Sequence, residues 1–491
     1  MFFRNLIRNL DKICKTTDPI TRNYATGVTY NKVTDAIIKS FKNIVGDKNV
    51  CAENAIREQH SHDESHHPSA LPDVVVFPDS VEHVSKVVKL CNENRIPILP
   101  YGTATGLEGG VNAVLGGVSI DMKNMDKVVE LNPLDFDVTI QPGITREGLN
   151  SYCRDTGLWF PIDPGADCSV CGMCATSASG TNAVRYGTMR ENVLNLEVVL
   201  PDGRIIHTAG KGRRARKTSA GYNLTNLFVG SEGTLGIITQ ATVRMHGIPE
   251  MTAVAVCHFH KIEDAVNTVI QIVSSGIPIA KCEFLDDCAI KAFNAYSDFH
   301  MTIAHSLFME FHGTEGSVRD QYKEIMNLCE ANNGHGFHGA EEAEERARIW
   351  KARHEMLYAV IAQVPGSKSY TTDVCVPVTK LTEIIVKTKQ WIEQANALGP
   401  IVGHVGDGNF HCFFPVKPGD TATLKVVSGI AKQMALLSLE LNGTCTGEHG
   451  IGLGKRDFLI KEVGVEGVQA MKQVKDMFDP NAVMNPGKIF F

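Results

Sequence analysis

Residues 96–110 read Ile-Pro-Ile-Leu-Pro-Tyr-Gly-Thr-Ala-Thr-Gly-Leu-Glu-Gly-Gly. The apolar run 96–100 predicts a short strand, and the glycines and small residues after it predict a loop. Such a loop lets the backbone approach a bound diphosphate closely and donate its N–H groups to the phosphate oxygens. Taken alone, the loop is equally well an ordinary tight turn. It lacks the Gly-x-Gly-x-x-Gly pattern and the later acidic residue of a Rossmann site.

Two further segments repeat this composition. Residues 164–180 are rich in glycine, alanine and serine, and residues 230–239 pass from Gly-Ser-Glu-Gly into a strand-like run. Each segment alone is also consistent with structural turns. Three such loops in one half of the chain indicate a long ligand whose diphosphate and rings lie between two subdomains.

The segments 403–411 (Gly-His-Val-Gly-Asp-Gly-Asn-Phe-His) and 446–452 (Thr-Gly-Glu-His-Gly-Ile-Gly) set histidines among glycines. Turn residues 406–409 predict a hairpin in which Val405 pairs with Phe410 and His404 with His411. Opposed residues share one face of a sheet.

These two histidines and Glu448 would then give a three-ligand metal site with an open position, and His449 would be an unligated base beside it. The alternative is a pair of cross-strand histidines at a turn, without metal. A set of two histidines and one carboxylate suits zinc, manganese or iron.

The chain has 491 residues, 43% of them hydrophobic and 21% charged, which predicts a soluble enzyme of two domains. No apolar run is long enough to predict a transmembrane helix. A net charge of −7 argues against nucleic acid as a partner. The one basic run, residues 211–217, predicts a solvated loop, with a docking patch as the alternative.

Residues 1–24 differ from the rest of the chain. They carry five basic and two acidic residues, and the basic residues recur at helical spacing opposite an apolar face. This pattern predicts a mitochondrial transit peptide that ends at Arg22-Asn23-Tyr24, and a membrane-surface helix is the alternative. Its removal would leave a net charge of −10.

The remaining chain predicts an α+β fold. Up to residue 249, short strands at 74–77, 118–121, 128–131, 138–141, 193–200 and 236–242 accompany a helix at 80–94 that Ser80 would cap. After residue 249, long helices at 262–275, 317–333, 341–362, 381–397 and 421–441 predominate between a few strands. A helix at 465–478 and a fixed turn end the chain.

The three loops resemble the FAD-binding domain of the vanillyl-alcohol oxidase / p-cresol methylhydroxylase family. The resemblance also includes the histidine motifs and Asn485-Pro486-Gly487-Lys488, so it covers nearly the whole chain after residue 24. It implies a two-subdomain FAD-binding domain (25–249), an α+β substrate-binding cap with the metal site (250–450) and a tail that returns to the FAD domain (451–491). The loop 102–106 has no histidine, so we expect non-covalent FAD. The implied FAD-binding residues are Pro100, Gly102, Thr103, Ala104, Thr105, Gly106, Pro164, Gly165, Gly172, Ala175, Ser177, Gly180, Glu232, Gly236, Ile237 and Asn485.

The resemblance further implies oxidation of D-lactate and related D-2-hydroxy acids to 2-oxo acids, with hydride transfer to flavin N5. A divalent ion, zinc or manganese, on His404, His411 and Glu448 would act on the substrate hydroxyl, and His449 would accept its proton. Arg353 would bind the carboxylate, and Trp350, on the same helix face, would form an aromatic wall. From the residues alone, this charged helix could equally be a solvated surface.

Several alternatives remain within this family resemblance. Related enzymes act on D-2-hydroxyglutarate or glycolate, but Thr371 stands where the former carry a lysine for the second carboxylate. This difference favours a monocarboxylic substrate. A non-catalytic flavin- or metal-binding protein is the alternative from another class. Cytochrome c is the expected electron acceptor, and the mitochondrial matrix or the inner-membrane surface the expected location.

Overall fold

The computed structural model describes residues 28–490. The predicted transit peptide, residues 1–24, lies outside the described residues. Within them, no helix has both the length and the apolar character needed to span a bilayer.

The structure is built from strands and helices throughout, which agrees with the predicted α+β class. The strands are β1 (Val50–Cys51), β2 (Val74–Val76), β3 (Ile98–Tyr101), β4 (Val118–Asp121), β5 (Val128–Asn132), β6 (Asp137–Ile140), β7 (Leu158–Trp159), β8 (Val193–Val199), β9 (Ile205–His207), β10 (Ile237–Arg244), β11 (His246–Gly247), β12 (Met251–Phe259), β13 (Lys281–Leu285), β14 (His305–Gly313), β15 (His335–Ala340), β16 (Lys368–Thr371), β17 (Val374–Cys375), β18 (Ile401–Gly403) and β19 (Asn409–Val416). The helices are α1 (Asp35–Val45), α2 (Asn54–Gln59), α3 (Val81–Glu93), α4 (Arg146–Cys153), α5 (Val170–Thr176), α6 (Ala183–Tyr186), α7 (Met189–Asn192), α8 (Leu224–Phe228), α9 (Ile262–Ser274), α10 (Asp287–Tyr296), α11 (Glu315–Ala331), α12 (Ala343–His354), α13 (Met356–Ala362), α14 (Leu381–Gln394), α15 (Thr421–Glu440) and α16 (Arg456–Phe478).

Two larger sheets and the two-stranded pair β7–β11 occupy the first half of the described chain. The first has the order β1-β2-β4-β3, in which β4 runs parallel to both β2 and β3. All three residues of β2 are buried, as expected for a parallel strand covered on both faces. The second, β5-β6-β10-β8-β9, is antiparallel. The loop after β3 and the strand β10 carry two of the three predicted FAD-binding segments.

The second half contains more β-structure than the sequence pattern predicts. Strands β12 to β19 form one eight-stranded sheet with the order β15-β12-β14-β13-β18-β19-β16, and β17 pairs with β19. The strand β13 escaped prediction because Lys281 and Glu283 interrupt its apolar pattern, although all five of its residues are buried. The distribution of the sheets along the chain follows the division near residue 249, and the domain boundaries themselves stay a prediction.

The hairpin between β18 and β19 exists, but its predicted register is wrong by two residues. Val402 pairs with His411, and Ile401 pairs with Cys412. Val405 does not pair with Phe410, because it lies in the connecting loop and is fully buried in the apolar core. A shift of two residues keeps the same side chains on the same face of a sheet. The rings of His404 and His411 therefore still meet, with 5.4 Å between their centroids.

Helix boundaries differ from the predictions in three places. Ser80 is the N-cap residue of α3, but its side chain forms no capping hydrogen bond. The stretch 341–362 contains two helices, α12 and α13, which meet at Glu355. The last helix begins at Arg456 and is interrupted at Gly464, whose φ of 78° and ψ of 169° are not helical.

The tail after α16 returns to the first sheet. The N–H of Ile98 donates to the carbonyl of Val483 over 2.8 Å, and the N–H of Asn485 donates to the carbonyl of Ile98 over 2.8 Å. This parallel bridge between Met484 and Ile98 holds Asn485 beside β3, and Asn485 lines the same cleft as the loop 102–106.

Candidate active site

One continuous cleft joins the three small-residue loops to the histidine motifs. The predicted FAD-binding residues that line it are Pro100, Gly102, Thr103, Ala104, Thr105, Gly106, Pro164, Gly165, Gly172, Ala175, Glu232, Gly236, Ile237 and Asn485. Ser177 and Gly180 do not line it. Ser177 is the left-handed C-cap of α5, and a Cβ on Gly180 would lie 2.6 Å from the backbone of Asp163, so both have structural roles.

The geometry of the loop 102–106 fits a phosphate group. Ala104 has a φ of 55°, a left-handed conformation of the kind that gathers successive N–H groups on one side of a turn. Among the described residues, the N–H groups of residues 103–106 donate no hydrogen bond within the protein. Oxygen atoms of a bound diphosphate would satisfy these donors.

Glu232 and Asn485 connect the FAD-binding loops to the C-terminal segments. The carboxylate of Glu232 accepts the N–H groups of Ile451 and Gly452 over 2.7 and 2.8 Å. The side-chain amide of Asn485 donates to the carbonyls of Gly110 and Glu232 over 3.0 and 2.8 Å. The loop that carries Glu448 and His449 is thus fixed directly against the FAD cleft.

The three predicted metal ligands converge at the inner end of the cleft. Oε1 of Glu448 lies 3.1 Å from Nε2 of His404 and 3.1 Å from Nε2 of His411. One nitrogen or oxygen atom from each of the three residues lies within 4.8 Å of the other two. Nε2 of His411 is buried and forms no hydrogen bond, despite its closeness to the carboxylate. An orphaned nitrogen that faces a second imidazole and a carboxylate is what a bound cation would satisfy.

The other ring nitrogens of both histidines are occupied by acceptors. Nδ1 of His404 lies 2.7 Å from Oε1 of Glu283, and Nδ1 of His411 lies 3.1 Å from the carbonyl oxygen of Thr372. Such partners hold a neutral imidazole as the Nδ1–H tautomer, which turns its Nε2 lone pair toward the centre of the site.

The electrostatics also favour a cation at this point. Burial lowers the pKa of His404, but the carboxylates of Glu283 and then Glu448 outweigh burial and raise the pKa well above its usual range. Burial raises the pKa of Glu448, and His404 and His411 together outweigh this and hold the pKa well below its usual range. A divalent ion would replace the proton that these carboxylates otherwise hold on His404.

Asp373 organises the backbone that presents Glu448 and His449. Its Oδ2 accepts the backbone N–H groups of both residues over 2.9 Å and the Thr446 hydroxyl over 2.8 Å. Its Oδ1 accepts the side-chain amide of Asn409 over 2.8 Å. Asp373 is fully buried and, since burial is outweighed by His449, Lys455 and His411, its pKa lies well below the usual range.

Lys455 links this network to the first FAD-binding loop. Its ammonium group lies 2.8 Å from Glu108 and 3.5 Å from Asp373, and it donates to the Thr446 hydroxyl over 3.1 Å. Glu108 lines the cleft two residues after the loop 102–106. One buried ammonium group therefore connects the cleft to the loop that carries Glu448 and His449.

His449 has the properties of a neutral base. It is stacked on His411, with 4.7 Å between ring centroids and 14° between ring planes. Its Nε2 lies 3.9 Å from Glu448, and its Nδ1 is buried without a hydrogen-bond partner among the described residues. Burial lowers the pKa of His449 to about 3, so the imidazole is neutral at physiological pH.

Arg353 lies beside His404, one of the three predicted metal ligands, and its role in binding a carboxylate stays a prediction. Its Nε donates to Oε2 of Glu283 over 2.7 Å, and one terminal nitrogen lies 3.5 Å from Nε2 of His404. Glu283 therefore orients Arg353 with one oxygen and His404 with the other. Because Nε is occupied, the terminal nitrogens remain for a ligand carboxylate.

The placement of Trp350 in the substrate wall is wrong. Trp350 is buried behind the cleft, in the apolar cluster of α12 and α13, and the ammonium of Lys281 lies 4.5 Å from its ring centroid. The residues of this region that line the cleft are His354, Leu357, Tyr358 and Phe413. In this part of the cleft the aromatic side chains therefore include Tyr358 of α13 and Phe413 of β19, and the Phe413 ring is parallel to that of His411.

Two residues central to this site escaped sequence reasoning. Glu283 is fully buried within β13, and Lys455 is 8% exposed. The sequence indicates the first of them only by a carboxylate between Cys282 and Phe284, and the second only by a lysine directly after the glycines of 450–454. A charged residue in an otherwise apolar strand requires a buried partner.

Comparisons with known proteins identify the family of the chain and its fold. Residues 248–489 match the family described as FAD linked oxidases, C-terminal domain, and residues 72–209 match the FAD binding domain family. The chain belongs to the FAD-linked oxidase family.

Individual relatives are similar over most of the chain. A probable mitochondrial D-lactate dehydrogenase of Danio rerio is 56% identical, over 93% of this chain and 92% of that protein. A mitochondrial D-lactate dehydrogenase (cytochrome) of Arabidopsis thaliana is 44% identical, over 94% of this chain and 81% of that protein. A glycolate oxidase subunit of Bacillus subtilis is 31% identical, over 93% of this chain and 97% of that protein.

The fold is confirmed by a solved structure. Substrate-bound p-cresol methylhydroxylase superposes with a TM-score of 0.75 at 17% identity, covering 94% of this chain and 98% of that chain. This is the fold that the three small-residue loops and the C-terminal tail predict.

Proposed function

We propose that this chain is a mitochondrial enzyme that oxidises D-lactate, and related D-2-hydroxy acids, to 2-oxo acids with FAD as the hydride acceptor. One observation carries the proposal: Arg353, a neutral His449 and the set His404, His411 and Glu448 meet in the FAD cleft. The D-lactate dehydrogenases at 56% and 44% identity support the substrate and the mitochondrial location.

Two bound groups supply chemistry that side chains lack. FAD bound along the loops 102–106, 164–180 and 231–238 supplies at N5 the acceptor for the Cα hydride. A divalent ion held by His404, His411 and Glu448 supplies a Lewis acid for the hydroxyl of the substrate. We favour zinc or manganese, because two imidazoles and one carboxylate suit either ion.

The residues of the chain position the substrate and take its proton. Arg353 binds the carboxylate through its terminal nitrogens, since Glu283 holds the guanidinium by Nε. His449 accepts the hydroxyl proton as a general base, because burial keeps its imidazole neutral and leaves Nδ1 without a partner. Asp373 keeps both Glu448 and His449 in place through their backbone N–H groups.

The charges of the cleft favour one carboxylate on the substrate. Among the described residues that line the cleft, Arg353 is the only arginine or lysine. Leu357 and Phe413 give the neighbouring wall an apolar character. Thr371 is buried and its hydroxyl lies 3.0 Å from that of Ser369, so it offers no charge to a second carboxylate. These features disfavour D-2-hydroxyglutarate and leave glycolate as the second candidate, which the relative from Bacillus subtilis supports.

We further propose cytochrome c as the acceptor of the electrons. The word cytochrome in the name of the Arabidopsis thaliana relative supports this proposal. A net charge of −7 also favours the approach of a basic acceptor protein.

A substrate panel on the purified protein tests the proposal. We expect flavin absorbance, release of FAD from the chain on denaturation, and rapid bleaching by D-lactate but not by L-lactate in stopped-flow experiments. Glycolate and D-2-hydroxyglutarate should bleach the flavin more slowly, and oxidised cytochrome c should restore the colour. A colourless protein that stays inactive with added FAD, or faster reduction by D-2-hydroxyglutarate, would contradict the proposal.

A further inference from the structure

The basic run 211–217 lies on the turn between β5 and β6. Arg214 is paired with Asp135 and Asp137 of this turn at 2.6 and 3.0 Å, and the guanidinium of Arg216 lies 5.8 Å from the ring centroid of Phe136. Asn195 of β8 also fixes the loop, because its side-chain amide donates to the carbonyls of Gly210 and Arg213 over 2.8 Å. The run is therefore held against the protein in a defined place.

Most of its charge remains directed to solvent. Lys211, Arg213, Arg216 and Lys217 are exposed, and Arg214 pairs with the carboxylates of Asp135 and Asp137. The five cations of the run thus exceed these two carboxylates by three charges. The run itself contains no acidic residue. It is a local concentration of positive charge on a chain whose net charge is −7.

Exposed apolar side chains lie on the turn that the basic run contacts and in segments that adjoin it. Leu134, at the tip of the β5–β6 turn, is 94% exposed, and Phe136 beside it is 37% exposed. Ile248, next to the strand residue Gly247 that packs near Phe136, is 54% exposed. Tyr222, which ends the same basic loop, is 96% exposed. A nearly fully exposed leucine at the tip of a turn has no packing role within the chain.

We propose that this basic–apolar edge, defined by Lys211, Arg213, Arg216, Lys217, Leu134 and Tyr222, docks on an anionic lipid bilayer. The cations would meet the headgroup charges, and the protruding leucine and tyrosine would enter the interfacial layer. A nucleic acid would match the cations but leave Leu134 and Ile248 without apolar contacts. A protein partner that buries an apolar anchor does so in a packed pocket, whereas Leu134 is 94% exposed at the tip of a turn.

This inference goes beyond the proposed oxidation and is tested independently of it. The purified full-length protein, with its flavin, is sedimented with vesicles of phosphatidylcholine and cardiolipin and with vesicles of phosphatidylcholine alone. We expect binding to the anionic vesicles, release at high salt and little binding to the neutral ones. Flavin absorbance and D-lactate turnover with a dye acceptor are recorded for every variant, so loss of the fold or of activity is seen separately.

The variants separate charge from apolar insertion. Each cation near an anionic bilayer contributes about five-fold to binding, so Lys211→Gln with Lys217→Gln should weaken vesicle binding about 25-fold. Leu134→Ser should weaken it about three- to ten-fold with the same salt dependence. The matched controls are Lys323→Gln with Lys461→Gln, which removes two exposed charges elsewhere, and Met477→Ser, which removes a side chain of a residue that is 70% exposed.

The controls should bind as the unchanged protein does. The proposal is overturned if the protein does not bind anionic vesicles, if the controls weaken binding as much as the edge variants, or if single-stranded RNA is bound and vesicles are not.

Discussion

The backbone N–H of Glu448 donates a 2.9 Å hydrogen bond to Oδ2 of Asp373, which lies 75 residues earlier in the chain. The same oxygen accepts the N–H of His449 at 2.9 Å. The backbone N–H groups of a proposed metal ligand and of a proposed base therefore share one acceptor, the carboxylate of Asp373. Their relative position depends on the charge of Asp373.

Asp373→Asn should therefore impair metal retention and turnover while FAD stays bound. The amide keeps the size of the side chain, but it loses the charge that accepts the N–H groups of Glu448 and His449 and the Thr446 hydroxyl. Partners of metal ligands typically contribute about 10–100-fold to metal affinity. Elemental analysis and D-lactate turnover at increasing metal concentrations measure the effect. Asp420→Asn, at the N-cap of α15, serves as the control and should change neither value. Unchanged metal content in the Asp373 variant would show that the loop is fixed by other contacts.

Removal of the metal should abolish turnover without removing the flavin. His404, His411 and Glu448 are three protein ligands, and such a set leaves a coordination position for the oxygen of the substrate. Prolonged chelation should leave the flavin spectrum intact, and added manganese or zinc should restore the activity. Full activity in a protein that elemental analysis shows to be metal-free would rule out a catalytic metal.

His449→Asn should retain FAD and metal yet lose roughly 10²–10⁴ in the rate of flavin reduction. The imidazole accepts the proton in our proposal, whereas its backbone, held by Asp373, is unchanged by the substitution. Stopped-flow reduction by D-lactate and elemental analysis give the two readouts. Reduction at the rate of the unchanged protein would assign the base to another residue.

Sequence reasoning reached the ligand set but not the contacts that orient it. Turn chemistry at 406–409 indicated the hairpin, and the error of two residues in its register left His404 and His411 on one face. By contrast, Glu283 contacts His404 across 121 residues of sequence and Arg353 across 70. A lone carboxylate in a buried strand reveals that a partner exists but not which residue it is.

The same limit explains the error at Trp350. Spacing of three residues places Trp350 and Arg353 on one side of α12, but it does not show which of them reaches the cleft. The guanidinium does so because Glu283 anchors it there, while the indole packs under Lys281. The FAD-binding loops were easier to predict, because close backbone approach requires small residues within each local segment.

Arg353→Ala should act on recognition of the carboxylate. Loss of a charge-assisted hydrogen-bonded pair costs about 1.5–3 kcal/mol, which corresponds to about 10–150-fold in kcat/KM for D-lactate. Glu283→Gln should produce a smaller loss in kcat/KM together with weaker metal binding, because Glu283 also orients His404. Steady-state kinetics and metal titration of both variants separate the two effects. An unchanged kcat/KM in the Arg353 variant would place the carboxylate elsewhere in the cleft.

Acid should destabilise the fold partly through His258 in β12. Burial, followed by the nearby His338 and His335, lowers the pKa of His258 to about 4 from an ordinary value near 6.5. The unfolded chain therefore binds a proton below about pH 6.5 that the folded protein does not bind until about pH 4. The contribution of His258 to the free energy of unfolding is therefore fully present above pH 6.5 and is lost as the pH falls toward 4. This loss lowers the free energy of unfolding by at most about 3 kcal/mol.

His258→Asn should lose less stability than the unchanged protein between pH 7.5 and pH 5, because asparagine binds no proton in this range. The variant will be less stable at pH 7.5, since it disturbs the 2.9 Å contact of His258 Nδ1 with the Ser306 hydroxyl. The informative quantity is therefore the change in the free energy of unfolding between pH 7.5 and pH 5, measured by urea unfolding. His300→Asn, at an exposed histidine, should leave that difference as it is in the unchanged protein. An equal loss of stability with acid in the His258 variant would assign the acid sensitivity to other buried groups.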